Sequence, residues 1–104
     1  MDQQPRLAIV TGSNTGLGLA TATALWRDHN YHVIIACRDE KKAQEAIKTI
    51  SGKDNDERLE YMHLDLSNLE STNRFGENFY KKYDYLDLLI NNAGMVMLNV
   101  KKII

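Results

Sequence analysis

A chain of 104 residues with 13 basic and 14 acidic side chains, net charge −1, can hold at most one small domain and has no cationic excess with which to neutralise a nucleic-acid backbone. Its single cysteine, Cys37, rules out an internal disulfide, and no apolar run is long enough for a signal peptide or a membrane span. A soluble, cytoplasmic protein is the expectation.

Taken in chain order, the first element is the uninterrupted apolar run LAIV at residues 7–10, short enough for a strand. Residues 17–28 follow, rich in alanine and threonine with Leu25 and Trp26 near the end; they read as a helix whose small side chains let it lie close to a sheet. A second apolar run, VIIAC at residues 33–37, is followed by a helix over residues 40–50. In that helix Ala43, Ala46, Ile47 and Ile50 share one face, Asp39 is placed to cap the start, and Gly52 to stop it. The polar SGKDNDER, residues 51–58, reads as a surface loop. YMHLDL at residues 61–66 reads as a third strand. Ser67 and Glu70 then have capping-box spacing at the head of a helix in which Phe75 and Phe79 lie one turn apart and Gly76 is the weak point. LDLLI at residues 86–90 is the fourth run. Because the first, second and fourth runs do not alternate, they suit strands covered on both faces. The order βαβαβαβ predicts an open α/β unit with a parallel sheet and helices on both sides. Ligands of such sheets bind beyond the carboxyl ends of the strands.

One stretch departs from a plain strand-to-helix junction. In TGSNTGLG, residues 11–18, three glycines occupy the turn where unpaired N–H groups and the positive end of a helix dipole favour an anion, so a phosphate is the expected guest. The spacing is neither G-x-G-x-x-G nor a Walker A loop. The glycines alone equally suit a tight turn that needs positive φ.

Together, TGSNTGLG, LDL and NNAG (residues 91–94) resemble the short-chain dehydrogenase/reductase family, and VIIACRD looks most like its retinol-dehydrogenase-like members. The resemblance runs over nearly the whole chain and implies a Rossmann-like doubly wound parallel sheet, here reaching only the fourth strand, with residues 1–104 forming a partial dinucleotide-binding domain. It also implies site residues. Thr11, Gly12, Ser13, Asn14, Thr15, Gly16, Leu17 and Gly18 would wrap the pyrophosphate and adenosine ribose of a nicotinamide dinucleotide. Asp65 and the Leu66 backbone would meet the adenine, and Asn92, Ala93 and Gly94 would line the cofactor, while Asn91 would tie strands together. At the end of the second strand Arg38 offers a guanidinium fork to a 2′-phosphate, which favours NADP. Arg38 also suits a solvated helix start, and neighbouring Asp39 leaves NAD possible.

The family's catalytic tyrosine and lysine lie four residues apart, and no tyrosine in this chain has a lysine four residues on. The expectation is therefore the cofactor-binding half of an NADP(H)-dependent alcohol or carbonyl oxidoreductase, without its catalytic residues and without turnover by itself. The alternative is a dinucleotide-binding or subunit-capping module that does no chemistry. Tyr80, Tyr83 and Tyr85 beside Lys81 and Lys82 read as packing plus a solvated face, and His63 as a strand residue near the cofactor mouth. An edge bearing Leu86, Leu88, Leu89 and Ile90 would stay open unless a loop, a partner chain or further sequence covers it, and nothing in the pattern of the tail from residue 95 onward says how it would do so.

Overall fold

An apolar run of four residues cannot hide in one layer, because successive side chains point to opposite faces of a sheet. β1 (Leu7–Thr11) accordingly lies where both faces are covered, and all five of its residues are buried. The computed structural model describes residues 5–12 and 16–92. After β1 come α1 (Gly16–Asp28), β2 (His32–Cys37), α2 (Glu40–Ser51), β3 (Leu59–His63), α3 (Leu69–Lys82) and β4 (Leu88–Asn91). The strands form one parallel sheet in the order β3-β2-β1-β4, with Leu7 opposite His32 and Ala8 opposite Leu88. This is the doubly wound, Rossmann-like arrangement expected from the sequence. Among the described residues no helix is long and apolar enough to cross a membrane.

The two faces have separate cores. On one, Val10, Val33, Ile35 and Leu59 pack with Ala22 of α1 and with Ala43, Ala46 and Ile47 of α2. On the other, Leu7, Ile9, Ile34 and Ala36 meet Phe75 and Phe79 of α3. The alanines let α1 and α2 approach the sheet, while one helix with two large rings covers the opposite face. Gly76 follows Phe75 in α3, and a Cβ there meets nothing within 4 Å. Gly76→Ala should therefore stabilise the fold by about 0.5–1 kcal/mol through helix propensity, read as a higher urea midpoint.

Several boundaries differ from the sequence reading. β3 begins at Leu59 and ends at His63 rather than running over residues 61–66. Leu64 N–H still donates to Cys37 C=O at 3.0 Å, but the Asp65 carboxylate then accepts from the Ser67 N–H and hydroxyl, which turns the chain out of the sheet. That use of Ser67 overturns the capping box: α3 is capped by Asn68, whose side chain accepts from Ser71 N–H. Asp39 and Gly52 cap α2 as expected.

The polar loop is more than surface. Arg58 donates to the carbonyls of Trp26 and Tyr31 at 3.0 and 2.9 Å and lies over the Trp26 ring, whose Nε1 donates to Asp56. The loop thus closes the C-terminal end of α1, because carbonyls there have no helical partner. The tyrosine–lysine cluster is also more than a solvated face. Tyr83 hydroxyl donates to Glu60 Oε1 at 2.6 Å, His32 Nε2 lies 3.0 Å from the same oxygen, and Lys82 pairs with Glu60 Oε2. A carboxylate only accepts, so Nε2 of His32 carries a hydrogen. This group ties α3 to β2 and β3 at the end of the sheet away from the glycines.

At the other edge, β4 pairs with β1, and Leu88, Leu89 and Ile90 are half-buried where β1 is fully buried. Leu7 and Asp87 fix the start of that pairing by reciprocal bonds of 2.8 and 2.9 Å. The tail from residue 95 onward lies outside the described residues.

Candidate functional site

The glycine turn begins where β1 ends. Gly12 and Gly16 have φ of +62° and +57°, a region closed to most side chains, and a Cβ on Gly16 would find open space within 4 Å. Glycine at position 16 is thus required by backbone conformation rather than by crowding from the protein. Gly18 is buried and Leu17 is 75% exposed at the head of α1. The first turn of α1 has no acidic side chain, whereas α2 and α3 carry Glu40 and Glu70 there. Its positive end is left for a ligand's charge. Ser13, Asn14 and Thr15 lie outside the described residues.

Across from the turn is an open cleft of about 420 Å³ between the ends of β1, β2 and β3. Gly12 forms one side and Ala36, Cys37, Arg38 and Asp39 another, closed by Leu64, Asp65, Leu66 and Ser67. Four of the expected residues, Gly12, Arg38, Asp65 and Leu66, therefore come together. The Ser67 hydroxyl and N–H, with a smaller contribution from the Arg38 charge, hold the Asp65 carboxyl below its ordinary range, so it is an acceptor at neutral pH. Burial pushes the Cys37 thiol up, which leaves it a packing residue.

Lys42, in the first turn of α2, also lines the cleft and was not singled out from the sequence. Its signal was weak, because surface lysines are common on such a helix; what places it is the Asp39 cap, which accepts from Lys42 N–H and orients the first turn. His63 does not line this cleft; it sits at the end of β3 beside a smaller hollow and bonds with the Tyr61 hydroxyl at 3.1 Å.

The fourth strand reaches the site through Thr11. Its hydroxyl donates to Asn91 Oδ1 at 3.0 Å and accepts from Asn92 N–H at 3.0 Å, so Asn91 does tie β4 to β1. Asn92 Nδ2 is buried with no acceptor among the described residues. A buried donor without a partner is costly, and it fits a ligand carrying an oxygen at this place. Ala93 and Gly94 lie outside the described residues.

These features suit one family, and the family model for short chain dehydrogenase matches residues 6–103. The chain belongs to the short chain dehydrogenase family. Among curated relatives, protochlorophyllide reductase from Pisum sativum is 44% identical over 95 residues, a match covering 90% of this chain and 23% of that protein. Retinol dehydrogenase 13 from Homo sapiens is 40% identical over 91 residues, covering 88% of this chain and 27% of its own. A solved structure of Pseudomonas aeruginosa RhlG in an NADP active-site complex superposes with a TM-score of 0.73 at 29% identity, over 86% of this chain and 35% of that one. The two curated relatives, a reductase and a dehydrogenase, are oxidoreductases by name. The chain spans about a quarter of the length of the curated relatives it matches.

Proposed function

We propose that this chain is the cofactor-binding part of an NADP(H)-dependent oxidoreductase that interconverts alcohols and carbonyls. The observation that carries the reading is the cleft in which the Gly12 turn, the Arg38 and Lys42 cations and the Asp65-Leu66 backbone converge. Residues 12–18, from Gly12 through Ser13, Asn14, Thr15, Gly16 and Leu17 to Gly18, hold the pyrophosphate by main-chain N–H groups. Arg38, with Lys42 beside it, receives the 2′-phosphate as a planar fork next to a point charge. Asp65 and Leu66 N–H receive the adenine. Asn92, Ala93 and Gly94 line the cofactor from β4, where the unpaired Asn92 Nδ2 supplies a donor. When bound, the nicotinamide ring gives or takes a hydride. The NADP complex of the related RhlG supports this choice of cofactor. In this reading the open edge of β4 takes up a further strand from the rest of the enzyme or from a partner chain.

Calorimetric titration of the chain with NADP and NAD tests the reading. NADP is expected to bind at least about tenfold tighter. Equal affinity would remove the phosphate assignment, and no binding of either would remove the function.

A further inference from the structure

Asp65 is held on three sides. Its N–H donates to Ser71 Oγ at 3.0 Å, its C=O accepts from Asn68 N–H at 3.1 Å, and its carboxylate accepts from Ser67. The second and third of these are short-range turn contacts. The first alone comes from inside α3, and it redirects one half of the usual reciprocity of a helix start. There, a side chain at the third helical position reaches back to the N–H of the capping residue. Here Asn68 spends its N–H on Asp65, and Ser71, at that third position, accepts from Asp65 instead, six residues back. The Asp65-Leu66 wall of the cleft is thus referenced to α3, which Phe75 and Phe79 and the Tyr83–Glu60 bond fix to the sheet.

We propose that Ser71 is a positioning residue for the nucleotide: its hydroxyl, by accepting the Asp65 N–H, sets the wall that receives the adenine. The inference rests on the cofactor reading above. Ser71 touches no ligand and acts through Asp65. Without the hydroxyl, the Asp65 N–H has to turn towards water, and the Leu66 N–H turns with it.

The test compares Ser71→Thr with Ser71→Val, which share a shape and differ in the hydroxyl. Binding of 2′,5′-ADP is measured by calorimetry and Asp65 amide exchange by NMR. Ser71→Thr should bind like wild type, whereas Ser71→Val should bind about five- to twentyfold more weakly. Exchange should quicken at Asp65 and Leu66 in the valine variant while the amides around Phe75 and Phe79 stay protected. Equal affinity of the two variants, with wild type binding, overturns the inference and leaves the cofactor reading intact. Failure of wild type to bind 2′,5′-ADP overturns both. Should Ser71→Val not fold, exchange in wild type decides, since an Asp65 amide as fast as an open loop contradicts the bond.

Discussion

Replacing Arg38 with alanine is expected to weaken NADP by one to two orders of magnitude and leave NAD nearly unchanged. A hydrogen bond to a charged group contributes about 1.5–3 kcal/mol, and the guanidinium is the planar donor in the cleft that can engage a phosphate with two parallel bonds. Lys42→Ala should cost less, roughly three- to tenfold, because an ammonium is a point charge on a flexible stem. Arg38 is exposed, so its share should shrink as salt rises. Calorimetry at low and high ionic strength checks both statements. Equal losses of NADP and NAD on removing Arg38 would show that it supports the loop rather than the phosphate.

Glu60→Gln is expected to be the more damaging change for stability, by about 2–3 kcal/mol at neutral pH. Burial by itself would push the Glu60 carboxyl up, but the bonds from His32, Lys82 and Tyr83 and the Lys82 charge outweigh it and bring it from 4.5 to about 2. The same burial, with the Glu60 bond and charge, pushes the Tyr83 hydroxyl up, so it remains a donor. A carboxyl held below its unfolded value binds protons more readily in the unfolded chain. Its contribution is therefore complete above about pH 4.5 and is lost as pH falls towards 2. Urea unfolding followed by Trp26 fluorescence should show wild type and Glu60→Gln converging across that window. A gap that stays constant with pH would mean that packing, not ionisation, sets the cost. Trp26 suits this measurement because it sits at the far end of α1 from the glycine turn and reports unfolding, not ligand.

Much of the fold was legible because its signals are local. Continuous apolar runs marked β1 and β2 as strands covered on both faces and β4 as a strand, though β4 is only half-buried, and Ala43, Ala46 and Ile47 marked the buried side of α2. Asp39 and Gly52 announced their caps by residue type. The errors fell where two local solutions compete. Ser67 has the chemistry of a cap, but Asp65 two residues earlier offers its hydroxyl a carboxylate, and Asn68 takes the helix instead. Asp56 and Arg58 read as loop polarity because their targets, Trp26 and the carbonyls of Trp26 and Tyr31, lie some thirty residues back.

By itself, then, the amino-acid order determined the alternation of strand and helix, the parallel sheet, and the glycine turn at the end of β1, since hydrophobic period, helix caps and positive-φ glycines are written within a few residues of where they act. Only the tertiary structure decided that Lys42 joins Arg38 on one cleft, that Glu60 gathers His32, Lys82 and Tyr83, and that Ser71 holds Asp65. Those meetings depend on which strands become neighbours and on the register between them. Such pairings are chosen by burying both faces of the whole sheet at once, and no short window of sequence contains that choice.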